Sequence, residues 1–189
     1  MSEVMRQLRE EHRHIVALLR ALERQLALFD AAEQPDYDVL AAIADYFVGF
    51  PDCCHHPKED LVYRKVCERD PTLAGEMANV EAEHAEISAQ ARRFREAVQN
   101  VLQEAEIPRE AFHDVARRFV SDQRRHMQME EEHLFPQAEQ TLTPDDWAAI
   151  DRQAVHEIDP IFGGGDDRKF AALRDDILRW QAEDEAAKE

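Results

Sequence analysis

Arg125-His126-Met127-Gln128-Met129-Glu130-Glu131-Glu132-His133 sets a histidine and a glutamate four residues apart in a run that reads as one long helix. Residues at i and i+4 stand one above the other on a helix face. An imidazole nitrogen of His126 and a carboxylate oxygen of Glu130 can therefore reach the same metal ion. One such pair also occurs on ordinary wetted helix faces. The chain holds a second, His55-His56-Pro57-Lys58-Glu59-Asp60, in which Glu59 follows His55 by four. Fold and function both turn on whether these pairs meet each other, and the lone histidines His12 and His84, in space.

The stripe around the first pair is Phe112, Val115, Phe119, Asp122, His126, Glu130, His133 and Gln137, on a helix expected over residues 109–140. Its first half is apolar and its second half polar on one face. A core-facing stripe that turns polar costs several kcal/mol per uncompensated charge, so these side chains need partners. Upstream, Leu73, Met77, Val80, His84, Ile87, Ala91, Phe94, Val98 and Val101 repeat in three- and four-residue steps, with His84 the one polar position, and the helix is expected to end before Ile107-Pro108. The helix starting near Tyr37 carries Leu40, Ile43, Phe47 and Phe50. Pro51 and Pro57 then each remove a backbone donor and interrupt the pattern. Leu61, Val62 and Val66 resume it up to Asp70-Pro71. Across that interruption periodicity cannot choose between His55 and His56. The longer reach of Glu59 over Asp60 favours His55. The first helix, residues 2–30, presents Leu8, His12, Ile15, Leu19, Leu22, Leu26 and Phe29, while His14 falls on another face.

No window alternates in the manner of a strand, so the chain is expected to be all-α. Four helices of about 30 residues, each about 45 Å long, joined by short proline-marked turns make an up-down-up-down four-helix bundle over residues 1–140. Thr143-Pro144-Asp145-Asp146 reads as the start of a fifth helix, with Thr143 as N-cap and Pro144 at its first position, running to about His156. Asp159 to Gly165 reads as a loop, and Phe170, Leu173, Ile177 and Trp180 as the face of a sixth helix. These two additional C-terminal helices, residues 141–189, form an appendage packed on the bundle. In antiparallel neighbours His12, His55, His84 and His126 fall at one height near one end, with Glu59 and Glu130 beside them.

Composition narrows the function. Among 189 residues, 41 acids outnumber 23 bases and give a formal charge of −18, which repels phosphate backbones and excludes nucleic acid as the expected partner. No stretch approaches the roughly 20 apolar residues of a membrane span, and residues 1–7 lack a signal-peptide core. Cys53, Cys54 and Cys67 show no disulfide-scaffold spacing, and adjacent cysteines on a helix point apart, so a cytoplasmic, reducing location is expected.

Four histidines and two glutamates from four helices are too many donors for one tetrahedral ion, which disfavours zinc. Two ions about 3.5–4 Å apart, bridged by the glutamates, would use them all. Iron or manganese suits such donors. Taken singly, His12 or His84 on an apolar stripe reads as a hydrogen-bonded core histidine, and Glu130 among its neighbours as a solvated face. The agreement of four helices in residue type, stripe and height outweighs those separate readings.

Glu11-His12-Arg13, His55 to Asp60, Glu83-His84-Ala85-Glu86 and His126 to Pro136 together resemble the hemerythrin-like, HHE cation-binding proteins. The resemblance implies a non-haem di-iron centre in a four-helix bundle, with His12, His55, His84 and His126 as terminal ligands and Glu59 and Glu130 as bridges. Manganese or zinc is less expected than two iron ions. Oxygen-carrying relatives take a second histidine four residues from the third-helix one; here those positions hold Val80 and Ser88. They also use an aspartate where Glu131 stands. Both departures favour relatives that bind or sense oxygen, nitric oxide or peroxide over a reversible carrier. An iron-handling or iron-sensing protein, or a di-iron oxidoreductase with turnover, is the alternative. His133 reads either as a seventh ligand, as a partner that orients a carboxylate, or as a plain helix-end histidine. His56 and Asp60 are candidates for orienting roles, and Tyr63 for donating to a bound ligand.

Overall fold

The structure, a computed structural model, describes residues 2–103, 108–154, 156–163 and 168–186. Of the expectations above, Ile107, Gly164, Gly165 and the side chain of Met77 lie outside the described residues. No strand occurs among the described residues; every regular element is helical.

Local chemistry sets the ends. Helix α1, Glu3–Asp30, begins where the Ser2 hydroxyl accepts from the Met5 amide, satisfying a donor that has no partner inside the helix. It ends on Ala32 at φ 60, with the Glu33 amide returning to the Leu28 carbonyl. Helix α2, Tyr37–Phe50, starts under Asp36, whose carboxylate takes the Asp38 and Val39 amides. It passes through a turn of π-helix, Pro51–His55, into α3, His56–Arg69. Helix α4 is Ala74–Leu102. Helix α5, Arg109–Met129, likewise continues through a π turn, Glu130–Leu134, into α6, Phe135–Thr141. Helix α7, Pro144–Gln153, opens with a capping box between Thr143 and Asp146, and α8 is Arg168–Ala186. Arg69 grips the Asp146 carboxylate with two bonds of 2.8 Å, tying the α7 N-terminus to α3.

Four rods, α1, α2 continued by α3, α4, and α5 continued by α6, form a helical bundle in which contacts close a cycle: α1 with α2, α2 with α4, α4 with α5, and α5 with α1. Helix α7 lies against α1 and α3, and α8 against α1 and α2. Two apolar clusters fill the interior. The larger contains Leu18, Leu22, Phe47, Phe94 and Phe119 and takes in Leu173 and Ile177 of α8. The smaller contains Met5, Leu8, Val62, Leu134 and Phe135 and takes in Ile150 of α7. His12 follows Leu8 of the smaller cluster and precedes Ile15 of the larger, so the polar layer separates the two.

Two expectations are corrected. The fourth-rod stripe does not continue from Glu130 to His133. The Phe135 amide reaches back five residues to the Glu130 carbonyl, as the His56 amide reaches back to Pro51. Pro57 and Pro136, each at the second position of the helix that follows, bring no N–H to a regular ladder, and the wider turn absorbs the break. One extra residue in a turn rotates everything beyond it by roughly 100°. The buried face therefore passes to Leu134, Phe135 and Ala138, and His133 is exposed. The second correction concerns Cys53 and Cys54, which do not point apart but are joined by a disulfide. They lie within the first π turn, where the regular α geometry that separates neighbouring side chains is absent.

Candidate metal centre

Six side chains from the four rods form the layer between the apolar clusters. His12 comes from α1, His55 from the first π turn, Glu59 from α3, His84 from α4, His126 from α5 and Glu130 from the second π turn. None is more than 5% exposed, and Glu59 and Glu130 are fully buried. Each histidine turns Nε2 inward. His12 Nε2 lies 3.4 Å from an oxygen of each glutamate. His55 Nε2 is 3.3 Å from Glu59, and His126 Nε2 is 3.4 Å from Glu130. His84 Nε2 is 3.4 Å from Glu59 and 3.5 Å from Glu130. The donor atoms fall into two groups, Glu59 with His84, His126 and Glu130, and Glu59 with His12 and His55.

The outward nitrogens are held as carefully. His55 Nδ1 meets Glu11 at 2.8 Å, His84 Nδ1 meets Asp60 at 3.1 Å, His126 Nδ1 meets Glu83 at 3.4 Å and His12 Nδ1 meets Glu131 at 2.9 Å. Glu11 adjoins His12, Asp60 adjoins Glu59, Glu83 adjoins His84 and Glu131 adjoins Glu130. Consecutive residues on a helix diverge by about 100°, so the neighbour of an inward-facing side chain points sideways at the next helix. Each rod thus orients the histidine of the rod after it, and the fourth orients that of the first. A carboxylate on Nδ1 fixes the tautomer and leaves Nε2 free to ligate.

Periodicity assigns none of these partners. Glu11 and Glu83 read as polar residues beside a stripe. Lys58, 1% exposed, is ion-paired with Glu11 and is equally hidden in a run of charged residues. Asp60 takes the orienting role open to it. His56 is buried beside the layer, stacked on His84 at 4.5 Å and facing Asp52, outside both donor groups. Tyr63 donates to Glu130 at 2.8 Å. His133 is exposed and takes no part. His14 lies elsewhere, bonded to Asp159 at 3.2 Å and stacked on Phe162.

The charges are mutually supporting. Burial alone would lower His84, but the hydrogen bond to Asp60 and the facing carboxylates of Glu130 and Glu59 push it up to about 10. Burial and the Glu59 charge would raise Glu130, and His126, His12 and His84 hold it down to about 2. Even so, both Glu59 oxygens, one Glu130 oxygen and the Nε2 atoms of His12, His84 and His126 are buried without a hydrogen-bond partner. Unpartnered buried polar atoms are costly. Imidazole and carboxylate donors converging at this spacing fit metal cations.

The family model for the hemerythrin HHE cation-binding domain matches residues 4–138. The chain belongs to that family. Its match reaches into all four rods and includes every member of the polar layer. Among curated proteins, no match to the chain was found. This hemerythrin domain carries one third-rod histidine in the layer; at the flanking positions, Val80 is buried in the smaller apolar cluster and Ser88 donates to Asp52. A cavity of about 650 Å³ opens on the bundle surface with His12 and Glu131 in its wall and Arg9, Arg13, Arg20 and Arg124 around it. Among the described residues no helix is long and apolar enough to cross a membrane.

Proposed function

We propose that this hemerythrin-domain protein holds two iron ions and binds or senses a small oxidant (oxygen, nitric oxide or peroxide) at positions the protein leaves open. His12 and His55 would hold one ion and His84 and His126 the other, with Glu59 and Glu130 shared. The observation that carries the reading is the set of buried Nε2 and carboxylate atoms that converge without any other partner. Two histidines and shared carboxylates per ion is the donor set of non-haem iron with vacant positions, and exceeds what tetrahedral zinc needs. Iron in that setting supplies a change of oxidation state to whatever small molecule reaches it.

The chain's own groups do the rest. Tyr63 holds one Glu130 oxygen and so sets the tilt of that carboxylate. The four Nδ1 carboxylates keep the imidazoles aimed inward. The apolar clusters on either side exclude bulk water from the layer. The cavity with His12 in its wall would give a ligand of small size its approach to the layer.

The deciding experiment is metal content per chain after purification without oxygen, with absorption recorded before and after air. Near two irons per chain, with near-ultraviolet absorption growing in air, is expected. One zinc per chain and no spectral change would overturn the reading. His84→Ala is expected to lose half or all of the metal with helicity kept, and His14→Ala to retain it. Full metal loading of the His84 variant would remove that residue from the site.

Proton release gives an independent check. In the metal-free chain, the buried glutamates overcome desolvation to raise His12, His55 and His84, and at about 10 His84 carries a proton at neutral pH. Metal must displace that proton, so affinity rises with pH until His84 is neutral, near 10. Adding ferrous ion without oxygen to weakly buffered protein at pH 7 should release on the order of one proton or more per chain. Binding with no acidification would show that the histidines are not ligands.

A further inference from the structure

Cys53 and Cys54 are bonded to each other in the π turn that ends at His55. Cys53 is exposed, whereas Cys54 is 2% exposed and packs in the larger apolar cluster. The pair closes a ring through a single peptide unit, so it fastens no distant parts of the chain and shortens no long loop. Disulfides that stabilise do so largely by closing long loops. This one spans the smallest loop possible, and its sulfurs lie where a solvent species meets one of them and the other waits behind it. Its neighbour His55 belongs to the candidate metal layer, with Nε2 3.3 Å from Glu59 and Nδ1 on Glu11.

We propose that Cys53 and Cys54 are a two-electron thiol–disulfide couple, oxidised by hydrogen peroxide and reduced by dithiols, whose state sets how firmly His55 is presented to the metal ions. In the reduced form the Cys53 sulfur attacks a peroxide oxygen. The S–O bond forms, the O–O bond breaks and the departing hydroxide takes a proton to become water. The Cys54 sulfur then attacks the Cys53 sulfur, the S–S bond forms, and the S–O bond breaks to release the second water. The two thiols lose two electrons and two protons, and the peroxide is reduced to two waters. A dithiol reverses the bond by exchange at the exposed Cys53 sulfur and leaves as its own disulfide. Neighbouring side chains in a regular helix diverge by about 100°, so joining or parting these sulfurs changes the backbone beside His55. The thiol chemistry stands without the metal; the effect on His55 rests on the metal-binding reading.

The test uses the full chain carrying Cys67→Ser, which removes the remaining thiol. Protein is poised between reduced and oxidised dithiothreitol, trapped with a maleimide and weighed intact. Two maleimides at the reducing end and none at the oxidising end, with hydrogen peroxide reproducing the oxidised mass, are expected. Two maleimides at every poise, or a disulfide-linked dimer, would overturn the couple. Cys53→Ser and Cys54→Ser should each bind one maleimide throughout. Iron release to a chelator is then timed in both states. About tenfold faster release from the reduced chain, absent in either serine variant, is expected for a change next to a ligand. Equal rates in a protein that does bind metal would sink the coupling to His55 and leave the couple standing. A chain that binds no metal in either state would refute the metal reading and, with it, the coupling.

Discussion

Glu59→Ala is expected to leave the chain folded and without metal. Glu59 is the one side chain common to both donor groups, and it is fully buried. Its two oxygens reach the Nε2 atoms of His12 and His55 on one side and His84 on the other. Losing a terminal histidine weakens one ion, but losing this carboxylate removes a donor and a negative charge from both. The metal-free variant also loses an anion from among histidines whose protonation it supports. His12 and His55, both raised in part by Glu59, should then titrate lower. The layer keeps the Glu130 carboxylate and loses one of its two buried anions, and a site with fewer desolvated charges remains tolerable in the interior. Metal analysis after anaerobic reconstitution, with circular dichroism alongside, gives the answer. Retention of two ions by Glu59→Ala would show that the bridge lies elsewhere.

Lys58→Met should cost about 3–5 kcal/mol of stability, because it strips the ammonium partner from a buried carboxylate and leaves it only the His55 imidazole. Lys58 is 1% exposed and its ammonium is paired with Glu11, itself 7% exposed. For a chain of this size that loss lowers the melting temperature on the order of 10 °C. Adding Glu11→Leu should restore much of it, since two apolar side chains then replace a desolvated pair. The same double variant should bind metal about 10–100-fold more weakly, because His55 Nδ1 has lost the carboxylate that orients it. Thermal melts of metal-free protein separate the two effects. A single variant as stable as the parent would mean that Glu11 finds water or another cation, and that Lys58 is not what permits its burial.

Both predictions concern residues of very different legibility. Glu59 announces itself by standing four after a histidine, and His84 by being the one polar member of an apolar stripe. Lys58 sits between Glu59 and Pro57 in a run of charged residues and looks like solvent-facing surface. Its burial depends on Glu11, which is 47 residues away in sequence.

The sequence by itself determined the helical class, because apolar residues recur at three- and four-residue steps and proline, aspartate and serine mark the ends. Helical period also gave the facing direction of His12, His84, His126 and Glu130 from local spacing alone, while across the two prolines the i,i+4 pairing with Glu59, not the period, pointed to His55. Three things were decided only by tertiary structure. The Nδ1 carboxylates Glu11, Glu83 and Glu131, and which histidine Asp60 orients, were one, because a residue beside the stripe points at whichever helix happens to lie next to it. The withdrawal of His133 was another. Its place on the stripe assumed an unbroken α ladder, and a proline six residues after Glu130 is met by a wider turn whose extra residue rotates the rest of the rod. The Cys53–Cys54 bond was the third, for it depends on the same kind of local departure from α geometry. Helical period carries direction only while the hydrogen-bond ladder keeps its step, and both π turns among the described residues hold a member of the polar layer.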